Sequence, residues 1–264
     1  MTDFSQMIRE LRVDGGDYTI TLPDDWLQGR TAYGGLSAAL CLAAAQLTLP
    51  DAPALRSAQF AFVGPATGAL RIAPRVLRRG KSTVFAGVDL AGDAGLAVRS
   101  TLCFAASRPS QDTYNRHSPP TTAPLEHCPS FYSWPNRPNF MNHFEGRLAG
   151  GSAPLSSSAS PEMLVWLRHR DSSAHDDLVS LMALADALPP AAFGSFEQVV
   201  PISTMTWAVD LLTAEVRNAS GWWLVQSSAE TIREGYSAQN TTVWSADGEA
   251  VISARQTVAI FDKK

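Results

Sequence analysis

Residues 177–190 read DLVSLMALADALPP and, besides Asp177 at the start, carry a carboxylate, Asp186, inside a dense run of apolar side chains. The apolar residues cover most of the circumference of a helix and two prolines end it, so the stretch predicts a short helix that is buried on all sides. An unpaired carboxylate is costly to bury. Asp186 is therefore either an acid at a frayed helix end, close to water and backbone donors, or part of a site that needs a charge. Spacing alone favours the helix end, because polar residues are common there.

The composition is typical of a globular protein with a substantial core. The chain has 264 residues, of which 45% are hydrophobic and 17% are charged. A net charge of −4 provides no basic face for a polyanion, so no nucleic acid partner is expected. The longest apolar run, residues 36–47, is too short and too interrupted for a membrane span, and no targeting segment is recognised. We expect a cytoplasmic protein. Its three widely spaced cysteines suit reduced core thiols and have no metal-ligand spacing, so no metal site is expected.

The order of the predicted elements is the same in both halves of the chain. In the first half, a strand at 18–22 precedes a helix at 36–49 and an antiparallel four-strand meander. In the second half, strands at 140–148 and 163–168 precede the helix around Asp186 and four further strands. The two sets of four strands are predicted at 55–63, 69–77, 83–90 and 96–105, and at 200–212, 222–232, 239–244 and 250–261. A proline-rich connector, 108–138, separates a first repeat at 1–107 from a second at 139–264.

The repeat is also visible in the amino-acid sequence itself. From Arg78 the chain reads RRGKSTVFAGVDLAGDAGLAVRSTLCF, and from Arg233 it reads REGYSAQNTTVWSADGEAVISARQTVAIF; the two align with a two-residue gap at a turn. Gln256 then falls opposite Cys103. A position that accepts a thiol in one copy and carries an amide in the other suggests a task for the amide. Two copies of helix plus antiparallel sheet predict an α+β fold in which each sheet wraps its own apolar helix and the two sheets abut.

This duplicated arrangement resembles the double hotdog acyl-CoA thioesterases of the type II, medium-chain kind. The resemblance extends over nearly the whole chain apart from the connector and the loop before Pro161. It is carried by GRTAYGG before the alanine-rich helix, FVGPA after the strand at 55–63, VLRRGKS in the first repeat, and LADALPP, STMTWAVDL and SARQTVAIF in the second. It implies a double hotdog fold, an acyl-CoA substrate, a homo-oligomer and no cofactor.

In that family an acid on the second helix, a hydroxyl at the start of the next strand and an amide in the last strand bind and polarise a water molecule. The matching residues here resemble Asp186, Thr204 and Gln256. Ser203 is the alternative to Thr204, because neighbouring strand residues face opposite sides and only one of them can reach the site. Asp186 is then the base or the water orienter, and Thr204 and Gln256 hold the same water.

The resemblance also implies substrate binding by Tyr33, Gly34 and Gly35 in the TAYGG motif. Two glycines let a ligand approach the chain closely, and the backbone amides of the helix that follows are candidate donors to an oxyanion. A nucleophile of the Ser-His-Asp type is not needed, and the chain contains no GxSxG motif.

The sequence also leaves two other functions and one other site to be considered. The family often has an Asp-His pair after the hydroxyl residue, and Met205-Thr206-Trp207 stand there instead, which leaves room for a non-catalytic protein that binds acyl-CoA or an acyl chain. A hotdog hydratase or dehydratase needs a His near the helix start, and neither TAYGG nor LMALADAL contains one. The cluster of His169, His175 and residues 176–177 offers metal-ligating groups, although acids at a helix start are the simpler interpretation.

Overall fold

The computed structural model describes residues 1–133 and 137–261, and its main feature is a 12-stranded antiparallel sheet packed around two helices. The helices are α1 (Phe4–Arg9), α2 (Gly34–Thr48) and α3 (Leu178–Leu184). The strands are β1 (Arg12–Asp14), β2 (Asp17–Thr21), β3 (Leu27–Gln28), β4 (Thr31–Ala32), β5 (Leu55–Phe62), β6 (Ala69–Arg79), β7 (Thr83–Gly92), β8 (Gly95–Ala105), β9 (Phe144–Gly151), β10 (Glu162–His169), β11 (Ile202–Leu211), β12 (Trp223–Arg233), β13 (Tyr236–Ser245) and β14 (Ala250–Ile260). The order in the large sheet is β1-β2-β6-β7-β8-β5-β11-β14-β13-β12-β10-β9, and β3 and β4 form a separate pair.

The two halves of the sheet are joined edge to edge by β5 and β11. Phe60 of β5 pairs with Trp207 of β11 in this junction. The predicted four-strand meander in the first half is wrong in one respect, because β5 pairs with β8 and not with β6, and only β6, β7 and β8 follow one another. The two predicted sheets are therefore one continuous sheet, and the α+β architecture with one buried helix in each half is confirmed.

Helices α2 and α3 pack against each other with very little space between them. The middle of α2 is fully buried against β6, β7, β8 and α3. At its first turn, a Cβ added to Gly35 would lie 2.5 Å from the Ala183 carbonyl oxygen of α3. The hydroxyl of Tyr33 donates a hydrogen bond to that same carbonyl, with the two oxygens 3.3 Å apart. The N-terminus of α2 thus meets the C-terminus of α3, and glycine is required where they touch.

Several predicted boundaries differ from the structure. The helix predicted at 36–49 begins at Gly34, so the glycine pair forms its first turn. The helix around Asp186 ends at Leu184 with Ala185 as its C-cap, which places Asp186 just beyond the helix. Residues 139–143 form a 3-10 helix and not the start of a strand. In each case a Gly or Pro near the element end allowed more than one boundary.

The N-terminal segment and the proline-rich connector both contribute side chains to the main core. The N-terminal residues form α1, whose Phe4 and Met7 are buried in the main core. The proline-rich connector contains one 3-10 turn at Leu125–His127 and buries Phe131 and Tyr132, while its residues 134–136 lie outside the described part. In the two described ranges, no helix combines the length and apolarity that a bilayer crossing requires.

The strand pairing aligns the two repeats differently from the alignment of their amino-acid sequences. β5 and β11 each carry a β-bulge near their start, and after it Ala58 pairs with Leu102 while Trp207 pairs with Gln256. The counterpart of Gln256 is therefore Leu102 and not Cys103. The letter alignment was one residue off because turns and bulges absorb residues, and a slip of one moves a side chain to the other face.

Gly35→Ala tests the close helix contact. The added methyl group would meet a backbone carbonyl that cannot move alone, so we expect a loss of about 1–3 kcal/mol in the free energy of unfolding. Denaturant unfolding measures it. Gly80→Ala is the matched control, because a Cβ there meets its nearest atom at an ordinary 3.4 Å. Equal stability of the two variants would contradict the contact.

Candidate functional site

A cavity of about 490 Å³ lies between the start of α2, the end of α3 and the beginning of β11. Asp186, Thr204 and Gln256 all line it, so the structure brings together the three residues identified in the sequence. Most of the remaining wall is apolar. It consists of Pro138, Phe140, Met141, Pro154, Leu155, Leu188, Pro189, Pro190, Phe193, Val199, Val200, Pro201 and Ile202, with Gln28, Gly29 and Gly34.

A second cavity, of about 390 Å³, adjoins the first. The two share Gln28, Gly34, Ile202 and Thr204. Its other lining residues are more mixed in polarity: Thr31, Ala32, Ser37, Phe62, Val63, Gly64, Pro65, Ala66, Val98 and Ser203. The Thr204 hydroxyl and the glycine at the helix start therefore lie where an apolar space and a more polar one meet, and Asp186 lies on the apolar side.

The Asp186 carboxylate is half-buried at the cavity wall and is held there by hydrogen bonds. Its Oδ1 accepts a hydrogen bond from Gln256 Nε2 at 2.5 Å, and the carboxylate also accepts one from the Gly35 backbone amide. Burial raises the pKa of Asp186 from 3.8 to about 7, although both hydrogen bonds act in the opposite direction. Near neutral pH, the group can thus both hold and release a proton.

The first turn of α2 has no side-chain cap of its own. Tyr33 occupies the N-cap position and makes no capping hydrogen bond, so the first backbone amides depend on partners outside the helix. Asp186 supplies one, since it accepts from Gly35. A Cβ on Gly34 would lie 2.7 Å from Asp186 Oδ2, so the space left by that glycine is partly taken up by the carboxylate. The positive end of the helix dipole also favours a negative charge here.

A β-bulge decides which hydroxyl faces the cavity. Trp207 is buried, and strict alternation along β11 would carry its face back to Met205 and Ser203. The bulge between Thr204 and Thr206 adds one residue and reverses the alternation. Thr204 then lines the first cavity, while Ser203 reaches only the second and Met205 is 43% exposed. Of the two alternatives, the structure places Thr204 beside Asp186 and Gln256.

One polar residue of the site, Gln239, was not identified from the sequence. Gln239 of β13 is 3% exposed, pairs with Gln256 across the strands, and donates Nε2 to Gln256 Oε1 at 2.5 Å. Its own Oε1 accepts from the Ala191 backbone amide at 3.0 Å. The available signal was that β13 carries Ser237, Gln239 and Thr241 at alternate positions, but such a row reads as a solvent-facing side unless the neighbouring strands are known.

Tyr33 lies beneath the site and not in a cavity wall. Its ring is 1% exposed and stacks on Phe140 with ring centroids 4.0 Å apart. Burial, with the nearby Asp186 charge, raises the pKa of Tyr33 well above its ordinary value. Its position suits support of the helix contact, whereas Gly34 lines both cavities.

The histidine cluster is used for structural contacts. His169 Nε2 lies 2.9 Å from the Ser180 carbonyl oxygen, and His175 Nε2 lies 2.9 Å from the His169 carbonyl oxygen. Asp177 is the N-cap of α3 and accepts from the Ser180 amide, as the interpretation of helix-start acids required. Asp176 accepts from the Asn218 amide.

The other ends of the two helices border a third cavity, of about 460 Å³, that occupies the position related to the site by the repeat. Leu55 lines it where Thr204 lines the first cavity, and Phe104 and Leu178 lie beside it. Leu102 stands at the place of Gln256, so leucines replace both Thr204 and Gln256 at the related position. Its lining residues include no carboxylate.

Two family models match the chain. Residues 22–105 match the acyl-CoA thioesterase N-terminal domain, and residues 117–260 match the acyl-CoA thioesterase C-terminal domain. The second match alone spans more than half of the chain. Among curated proteins, no sequence matches.

Solved structures share the architecture over the full length. A conserved protein of unknown function with a hot dog fold from Alicyclobacillus acidocaldarius superposes with a TM-score of 0.89 at 22% identity, covering 100% of both chains. A tesB protein from Mycobacterium avium subsp. paratuberculosis gives 0.76 at 17% identity, covering 97% of both. An acyl-CoA thioesterase II from Mycobacterium marinum gives 0.75 at 18% identity, covering 98% of both. The predicted double hotdog fold is confirmed.

Asp186→Asn tests the environment of the carboxylate through stability. The folded-state pKa of about 7 lies above the unfolded value, so between about pH 4 and pH 7 the folded protein keeps a proton that the unfolded chain releases. The wild-type free energy of unfolding therefore falls as pH rises through this window. The variant lacks this loss, and its stability relative to wild type should grow by up to about 4 kcal/mol from pH 4 to 7.

Denaturant unfolding over that pH range measures the difference. Asp247→Asn is the control, because Asp247 is exposed in the β13–β14 turn. A stability difference between wild type and Asp186→Asn that does not change with pH would contradict the raised pKa.

Proposed function

We propose that this chain, which belongs to the acyl-CoA thioesterase family, hydrolyses an acyl-CoA thioester to the free acid and CoA through a water molecule activated by Asp186. The observation that carries the proposal is the convergence of Asp186, Thr204 and Gln256 on one cavity, with the pKa of the acid raised to about 7. A base with a pKa near the working pH is effective, because it is ionised often enough to accept a proton and basic enough to remove one.

The chemical step needs few groups, because a thioester is already an activated acyl compound. A water placed between Asp186 and Thr204 forms its O–C bond to the thioester carbon while Asp186 takes one of the water protons. The C–S bond then breaks, the sulfur leaves with CoA, and it recovers a proton from Asp186. Thr204 fixes the water through its hydroxyl, and Gln256 fixes the carboxylate through its amide.

The start of α2 is the proposed site for the oxyanion. Gly34 is the first residue of the helix, where backbone amides have no partner within the helix, and it lies at the junction of the two cavities. The Gly35 amide is engaged with Asp186, so it serves the acid. We assign the Gly34 amide to the negative charge that develops on the thioester oxygen.

The two cavities match the two parts of an acyl-CoA. The larger, mainly apolar cavity suits the acyl chain, because it can bury hydrocarbon without leaving polar groups unpaired. The smaller cavity, with Thr31, Ser37 and Ser203 in its wall, suits the amide-containing arm of CoA. The thioester would then lie at the shared residues Gly34 and Thr204.

The alternatives fit the site less well. A hydratase or dehydratase of this fold uses a His, and the residues that line the two cavities include none. A non-catalytic binder has no need of a buried carboxylate, which costs stability at neutral pH. Asp186 therefore favours an enzyme over a binding protein.

Asp186→Asn should abolish turnover while leaving substrate binding. We expect kcat on a panel of acyl-CoA chain lengths to fall by about 10²–10⁴-fold, since the water loses its base. In the wild type, kcat/KM should rise with pH up to about pH 7 and then level off, because only the ionised carboxylate accepts a proton. CoA release measured with a thiol reagent provides both results. An unchanged rate in the variant would reject the mechanism, and wild-type binding without turnover would favour the binder.

Thr204→Val and Ser203→Ala separate the two neighbouring hydroxyls. Because Thr204 faces the acid and Ser203 does not, we expect Thr204→Val to lower kcat by about tenfold or more and Ser203→Ala to leave it within about twofold. The same CoA-release assay measures both variants. The opposite order of effects would assign the site hydroxyl to Ser203.

A further inference from the structure

A buried chain of three hydrogen bonds ends on Asp186. It begins at the Ala191 backbone amide, which donates to Gln239 Oε1. Gln239 Nε2 donates to Gln256 Oε1, and Gln256 Nε2 donates to Asp186 Oδ1. Gln239 and Gln256 are 3% and 5% exposed, so water has little access to either amide.

The direction of this chain is fixed at its start. Ala191 follows Pro189-Pro190 and opens the 3-10 helix Ala191–Ser195, so its amide has no partner within that helix. A backbone amide can only donate, which requires the oxygen of Gln239 to face it. The nitrogen of Gln239 must then face Gln256, which in turn presents its oxygen to Gln239 and its nitrogen to Asp186. Each amide has one orientation that satisfies all the partners.

We propose that Gln239 is a positioning residue that locks the Gln256 amide with its nitrogen toward Asp186, so that the acid always meets a donor and never an oxygen. The expected effect on catalysis rests on the proposed function. The orientation of the Gln256 amide rests on the hydrogen bonds alone. Gln239 does not line either cavity, so it acts on the acid only through Gln256.

The loss of Gln239 would release the Gln256 amide to rotate. In the rotated state Gln256 Oε1 faces Asp186 Oδ1, which disfavours the ionised carboxylate and raises the pKa of Asp186 further. Among the described residues packed around the acid, the titratable groups are the Tyr33 and Tyr132 hydroxyls, which donate to the carbonyls of Ala183 and Ala187. Burial raises the pKa of both, so both stay neutral between pH 6 and 9.

The test substitutes Gln239 in the full-length protein and follows Asp186 directly. In Gln239→Met, which keeps the side-chain volume and removes the amide, we expect the pKa of Asp186 to rise by about one unit. Carboxyl ¹³C NMR titration, with Asp186→Asn to assign the signal, measures this without any need for activity. Gln239→Asn is the second variant, because its shorter side chain cannot span Ala191 and Gln256 at once, and the same direction of shift is expected.

The kinetic readout is the pH dependence of kcat/KM on an acyl-CoA. The deficit of Gln239→Met relative to wild type should shrink from about tenfold at pH 6 to near parity at pH 9, because alkali restores the ionised acid. A merely structural role would give a deficit that is constant with pH. In a Gln256→Met background, Gln239→Met should add no further pKa shift, since the link is already broken.

Thr241→Val is the matched control. Thr241 lies two residues after Gln239 on the same buried face of β13, and its hydroxyl contacts Ser227 and not the chain of hydrogen bonds. An unchanged pKa of Asp186 in the Gln239 variants, or an equal shift in Thr241→Val, would overturn the inference. Absence of thioesterase activity in the wild type would reject the proposed function, while the titration would still decide the role of Gln239.

Discussion

The site depends on the contact between the Asp186 carboxylate and the first turn of α2. That turn has no cap of its own, and its two glycines leave room for the end of α3 to come within contact distance. The Gly35 amide then finds its acceptor in Asp186, and the acid finds a donor in place of water. A side chain at Gly35 would separate the helices and one at Gly34 would displace the carboxylate, so the helix packing, the charge and the cavity form one arrangement.

The balance of forces on the acid explains how an ionisable group is tolerated there. Burial disfavours the charged form more strongly than the Gly35 and Gln256 hydrogen bonds favour it, and the pKa of Asp186 comes to rest at about 7. Fewer donors would raise the pKa of Asp186 further and leave it mostly neutral at neutral pH, whereas more water would lower the pKa and make the carboxylate a weaker base. Gln239 of β13 adjusts this balance through Gln256, because it orients the amide that faces Asp186.

Much of the fold could be predicted from the sequence, because alternation and turn residues mark most strands and the alanine-rich helix. The position of β5 could not, since pairing between distant strands leaves no local pattern. The residues Asp186, Thr204 and Gln256 were found through motifs, but the choice of Thr204 over Ser203 needed a bulge that alternation alone does not reveal. Gln239 was missed for a related reason: a polar residue in a strand looks solvent-facing until its neighbour is known.

The two halves share a fold but differ at the positions that the repeat relates. Where the second half has Thr204 and Gln256, the first half has Leu55 and Leu102. The first repeat contributes the helix start, and the second contributes the acid, the hydroxyl and the amide. A site composed in this way has one copy in each chain and belongs to neither repeat alone. Neither repeat on its own would therefore contain the complete set of residues that line the site.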